Sequence, residues 1–208
     1  MQERMLVEQA AIVVLRLVLL VLGRRLPQRD LVAPQVRGVA EDPEHGKHAL
    51  GLVEPDVWGT LTKRDSVIFH DNDFEIFIDP DNDQLNYIEL EINPLNTFLD
   101  LFVIKPVVPI PYESYNIPAK WAVKVNGTVN NSADQDKGWT VELSMPLKEA
   151  VTAPHLPPKE GDKWRLNLYR IEKKPKEEYS AWSPTLNPSY HTPARFGEIT
   201  FSNRKAGD

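Results

Sequence analysis

The sequence predicts an all-β fold, an antiparallel β-sandwich of jelly-roll-like form, and three observations carry that expectation. From Glu54 onward apolar residues recur at every second position in short runs, the spacing of half-buried strands. The 18 prolines gather between those runs, where they suit turns and strand ends and would break helices. Beyond Glu54 only residues 147–151 read as briefly helical.

The first clear strand is FEIFID (74–79), with Phe74, Ile76 and Ile78 on one face and Glu75, Phe77 and Asp79 on the other. PDND (80–83) ends it as a turn. YIELEIN (87–93) alternates again, so the two runs form a hairpin. If their apolar faces coincide, Ile78 stands opposite Ile88, Ile76 opposite Leu90, and Glu75 opposite Glu91 on the outer face. Two carboxylates then lie about 5 Å apart at their Cβ atoms. Further strands are expected at 98–104, 121–126, 139–145, 164–171 and 196–201. In 139–145 the residues Trp139, Val141, Leu143 and Met145 share a face. In 164–171 Trp164, Leu166 and Leu168 face the core, with Arg165, Asn167 and Tyr169 opposite. Strands with one polar face each, joined by Pro, Asn and Gly turns, describe the sandwich.

At 208 residues, 41% hydrophobic and 26% charged, the chain has the composition of one folded domain with a sizeable core. The net charge of −6 and the scattered Lys and Arg argue against nucleic acid as a partner. The absence of cysteine excludes disulfides and thiolate metal sites.

Residues 1–51 read as an atypical N-terminal segment, 52–202 as the sandwich and 203–208 as a tail. AAIVVLRLVLLVLG (10–23) is short of the ~20 apolar residues that span a bilayer and contains Arg16, so no transmembrane anchor is expected. Glu3 and Glu8, and Gly23-Arg24-Arg25 where small residues should precede cleavage, argue against a signal peptide. Two readings remain: a helix over 3–22 followed by irregular chain to 48, or a segment that is not the domain's natural beginning.

No phosphate loop, Gly-x-Ser-x-Gly elbow, His-Glu-x-x-His helix or cysteine nucleophile is present. Asp79-x-Asp81-x-Asp83 has the start of a calcium-loop spacing, but Gln84 replaces the required glycine and Leu90 the bidentate glutamate. Asp71, Asn72 and Asp73, or Asp134 and Asp136, supply oxygens that could hold a structural Ca²⁺, the alternative being solvated acidic turns. His70, His155 and His191 show no ligand spacing. Glu75 and Glu91 suit either a retaining glycosidase, whose carboxyls sit ~5 Å apart, or hydrogen bonding to sugar hydroxyls. Binding is the reading favoured, because nothing else in the sequence suggests hydrolysis. Trp182, in a Pro/Asn/Ser-rich loop, offers a flat face for a saccharide ring. Trp121, Trp139 and Trp164 start strands and read as core or edge residues, while Trp58 fits either use.

Four ordered stretches extend this reading: residues 58–79 (WGTLTKRDSVIFHDNDFEIFID), 87–100 (YIELEINPLNTFLD), 126–146 (NGTVNNSADQDKGWTVELSMP), and GDKWRLNLYRI (161–171) with AWSP (181–184) and ARFGEITF (194–201). Over about 52–202 the chain resembles the family 9 carbohydrate-binding modules, in their family 9-like branch. The resemblance implies a non-catalytic β-sandwich, often with structural calcium, attached to xylanases and other secreted hydrolases of plant cell-wall polysaccharides. An extracellular or periplasmic location follows from it. In such modules two tryptophans clamp a sugar and a strand glutamate binds its hydroxyls, which places Trp182 and Glu75 in the site. The second clamp position is Phe69 here, and the family arginine on the next strand is Glu91. Trp58 or Tyr169 could supply the missing ring, with Arg165 and Asn167 on the same polar face. The Leu-Trp-Asp and Tyr-Leu-Tyr strands that usually precede Glu54-Pro55 are missing. Two other classes compete: a related DOMON-type haem domain, needing a histidine pair or a histidine with a methionine such as Met145, and a glycosidase acting through Glu75 and Glu91.

Overall fold

The computed structural model describes residues 14–16, 50–52, 54–104 and 115–202. Among the described residues, ten strands run in order: β1 (Val14–Arg16), β2 (Leu50–Leu52), β3 (Asp73–Asp79), β4 (Tyr87–Ile92), β5 (Phe98–Val103), β6 (Lys120–Asn126), β7 (Gly138–Pro146), β8 (Lys163–Glu172), β9 (Glu178–Ala181) and β10 (Gly197–Thr200). Single 3₁₀ turns interrupt them at Ile68–His70, Leu147–Glu149 and Pro193–Arg195.

All pairings are antiparallel and fall into two sheets. In the smaller, β7 pairs with β6 along one edge and with β1 and β2 end to end along the other. In the larger, β5, β4, β3 and β8 lie side by side, and β9 and β10 share the far edge of β8. The hairpin register is the one the alternation implies: Ile78 opposite Ile88, Ile76 opposite Leu90, Glu75 opposite Glu91.

Between the sheets lies one core, with Phe74, Ile76 and Ile78 of β3 and Ile88, Leu90 and Ile92 of β4 meeting Trp139, Val141 and Met145 of β7. Each such side chain contributes roughly 1.5–3 kcal/mol by leaving water. Trp121 closes one edge by stacking on Phe98 with centroids 4.2 Å apart. Two carboxylates fasten the loops to this frame. Asp136 accepts the backbone amides of Val57 and Thr128, and Asp100 accepts the amide of Ile117 and pairs with Arg64.

Three features differ from expectation. Within the stretch expected to be helical, Val14–Arg16 form β1, because a short β-branched apolar run fits a strand as well as a helix. The rest of that stretch, the anchor and leader readings of 10–25, and the tail at 203–208 lie outside the described residues; β2 runs across residue 51. Second, β9 carries no alternation that marks it in the sequence. Third, β3 and β4 are buried along both faces rather than polar and open on one. Their outer face supports a second cluster of Phe77, Tyr87, Val103, Tyr169 and Phe196.

Candidate functional site

That outer face builds the candidate site in cross-strand rows. One row runs Tyr169, Glu75, Glu91, Leu99 across β8, β3, β4 and β5; the next runs Asn167, Phe77, Glu89, Leu101. The strand period of two puts acids at Asp73 and Glu75 on β3 and at Glu89 and Glu91 on β4, all pointing to one side. Four carboxylates are thereby gathered on a face covered by the loop that follows β9.

Covering that face changes their chemistry. Glu75, Glu89 and Glu91 are 3%, 4% and 2% exposed, and Asp73 is fully buried. Burial, followed by the charges of Asp73 and Glu91, holds the Glu75 carboxyl well above the usual range. Glu89 is raised by burial and by Glu91 and Glu75, and Asp73 by burial and Glu91. Glu91 is pushed up to about 7 by burial, against hydrogen bonds from Glu89 and from the Phe69 backbone amide.

Above these acids opens a pocket of about 720 Å³, within the range of small-ligand sites. Its floor is Glu75, Glu89 and Glu91, and one flank is the apolar strip Leu99, Leu101 and Val103 of β5. Tyr179 of β9 and Tyr190 and His191 of the following loop stand on the opposite flank. Phe69, from the 3₁₀ turn before β3, completes the rim. Phe69 and Tyr179 are 43% and 56% exposed, so each leaves much of a ring to a ligand. His191 is held between Tyr87, whose hydroxyl bonds its Nδ1, and Glu89, 3.8 Å away. Burial lowers its basicity.

Of the residues singled out in the sequence, Glu75, Glu91 and Phe69 meet in this pocket. The others do not line it. Trp182 follows Ala181, which pairs with Tyr169 on the outer face, so the tryptophan points to the inner side. There it packs against the main core, its ring so close to Gly197 that a Cβ would come within 2.3 Å. The loop composition that suggested an open platform reflects only that the chain leaves the sheet at Ser183. Tyr169 and Asn167 are buried scaffold: Asn167 Nδ2 donates to the Tyr169 hydroxyl and the Ser183 carbonyl, and Tyr169 donates to the Tyr190 carbonyl. Tyr190 stacks on Tyr169 with centroids 4.0 Å apart. Arg165 donates to the Phe196 carbonyl. Trp58 sits under Lys174, 5.8 Å from its Nζ. Sequence reasoning missed Glu89, Tyr179, Tyr190 and His191. Glu89 was legible, because it shares the period of Glu91.

Of the carboxylates considered for calcium, Asp71, Asp134 and Asp136 accept hydrogen bonds from the protein, whereas both oxygens of the buried Asp73 have no such partner among the described residues. Asp71 accepts the amides of Thr60 and Leu61, the Thr60 hydroxyl and the Asn93 side-chain amide. Asn72 accepts the Lys173 amide, Asp134 accepts the Thr128 hydroxyl, and Asp136 holds Val57 and Thr128 as described. Asp73 is buried in β3 beside the other acids. Three donors meet Asp71 Oδ2, and each oxygen of Asp136 holds one backbone amide. Among the described residues, three acidic ligand atoms approach within 4.8 Å of one another only at Asp79, Asp81 and Asp83. There Asp79 is occupied by the amides of Asn82 and Gln84. Among the described residues, the histidines do not meet Met145, which lies in the inner core. His155 bonds Asp162, His70 is exposed, and His191 faces the outer pocket.

Comparison with known proteins decides the family. The model of carbohydrate-binding family 9 matches residues 48–201. The chain belongs to carbohydrate-binding family 9. No curated relative matches it. Among solved structures this family 9 chain is similar in fold to a candidate carbohydrate-binding protein of Bacteroides uniformis, at TM-score 0.51 and 18% identity over 74% of this chain and 70% of that one. Two structures of a family 9 module from Caldicellulosiruptor kristjanssonii, one with cellotriose and one with glucose, are 14% identical. Their TM-scores are 0.47, over 74% of this chain and 67% of that one, and 0.46, over 75% and 70%. Among the described residues of the family 9 chain, no helix is long and apolar enough to cross a membrane.

Proposed function

We propose that this family 9 chain binds a saccharide, without catalysing its cleavage, in the pocket over Glu75, Glu89 and Glu91. The observation that carries the reading is the combination in one pocket of exposed aromatic rings, Phe69 and Tyr179, with inward-facing carboxyls. Sugar rings offer apolar C–H faces to an aromatic ring and hydroxyls to a carboxyl. The site residues are therefore Phe69, Tyr179, Glu75 and Glu91, with Glu89, Tyr190 and His191 beside them. The family also supports an accessory role, with the chain holding polysaccharide of plant cell-wall type for an attached or cooperating glycoside hydrolase, outside the cytoplasm.

The test is a calorimetric titration of the protein against cello-, xylo- and chito-oligosaccharides, with and without free amino groups. Binding of at least one is expected. Phe69→Ala should weaken it by about 2 kcal/mol, as loss of an aromatic anchor does, with little loss of stability because the ring is half in solvent. No binding to any saccharide, or unchanged affinity in Phe69→Ala, would place the function or the site elsewhere. Release of reducing sugar that disappears in Glu75→Gln would turn the reading into glycosidase activity.

A further inference from the structure

The charge of the pocket is more specific than its shape. Among the described residues that line it, five are acids, Asp65, Glu75, Glu89, Glu91 and Asp100, and the sole basic side chain is His191. Asp100 is neutralised by Arg64 at the rim. Among the described lining residues the three floor glutamates have no such partner, and the cation that acts on Glu75, Lys173, stands outside the lining. Oε2 of Glu91 has no hydrogen-bond donor, and Oε2 of Glu89 has only His191 Nδ1 at 3.8 Å, beyond hydrogen-bond reach. Both oxygens are buried and belong to side chains that line the cavity.

Buried polar atoms are nearly always paired, so unpaired ones lining a cavity mark where a donor belongs. Like charges directly opposite on neighbouring strands are destabilising, and Glu75 stands directly opposite Glu91. The raised proton affinity of all three glutamates expresses the same deficit of positive charge. A neutral hydroxyl supplies a donor but no charge. A divalent cation needs its oxygens drawn together, and among the described residues only Asp79, Asp81 and Asp83, outside the pocket, are so placed. An ammonium group supplies three donors and one positive charge.

Building on the saccharide-binding reading, we infer that the preferred ligand of this pocket is an amino sugar with a free ammonium group, received among Glu75, Glu89 and Glu91 beneath the rings of Phe69 and Tyr179. The aromatic rim takes the sugar ring and the acid floor takes the nitrogen. Acetylating the nitrogen removes its charge while keeping the ring, which makes the N-acetylated sugar the discriminating control.

The experiment titrates the full chain at about pH 7, where Glu91 is ionising and an amine still holds its proton, with three oligosaccharides of equal length. They are the oligomers of glucosamine, N-acetylglucosamine and glucose. The glucosamine oligomer should bind at least tenfold more tightly than either neutral one, and added salt should shrink that advantage. Glu91→Gln and Glu75→Gln, each checked for a cooperative thermal transition, should lose most of the preference, affinity for the glucosamine oligomer falling by more than that for any neutral oligomer that the parent binds. Equal or tighter binding of a neutral oligomer overturns the cationic ligand and leaves saccharide binding standing. A glucosamine preference that survives in whichever of the two variants folds overturns it too, as general attraction to an acidic protein. No binding of any of the three, together with none in the wider panel above, overturns both.

Discussion

Replacing Glu91 by glutamine should make the protein more stable at alkaline pH. In the folded chain its carboxyl titrates near 7 rather than at the ordinary 4.5. A pKa raised on folding means the folded state holds the proton more tightly than the unfolded chain. Its stabilisation is therefore complete below about pH 4.5 and is lost as pH rises through 7. At ~1.4 kcal/mol per unit, ionising Glu91 costs about 3 kcal/mol by pH 8. Glutamine keeps the shape, accepts the Glu89 proton as Glu91 does, and carries no charge. Urea denaturation at intervals from about pH 5 to pH 8 should show parent and variant nearly equal at the acid end. The variant should lead by about 3 kcal/mol at the alkaline end, or roughly 6–12 °C in Tm. Parallel profiles, or a variant weaker than the parent at pH 8, would refute the claim that the carboxyl is buried without a counter-charge.

Two further outcomes follow from the packing and the loop anchors. Trp182→Ala should cost about 3 kcal/mol of stability, as loss of a packed aromatic does. Gly197→Ala should be destabilising alone and much less so when combined with Trp182→Ala, because the ring 2.3 Å from the new Cβ is gone; additive losses in that double-mutant cycle would place the ring elsewhere. Asp71→Ala should cost about 3 kcal/mol or more by orphaning the amides of Thr60 and Leu61, equally with calcium and with chelator. A loss seen only when calcium is present would put an ion on Asp71.

The sequence by itself determined the class of fold, the inner and outer faces of β3 and β4, and their register. These follow from alternation, since a slip of one residue would turn the apolar set Phe74, Ile76 and Ile78 into water. It likewise placed Glu75 opposite Glu91, and the ordered motifs from residue 58 onward marked the family. What only the tertiary structure decided is how wet each face is. Glu75 and Glu91 read as outer-face acids, yet β9 and the loop carrying Tyr190 and His191, distant in the chain, close over them and raise their proton affinity. Trp182 shows the same limit. Its polar loop suggested exposure, but the residue's side was set by the pairing of Ala181 with Tyr169 and by a glycine 15 positions further on that leaves room for an indole. Periodicity is local and is written in neighbouring residues, whereas burial depends on which distant segment comes to lie on top.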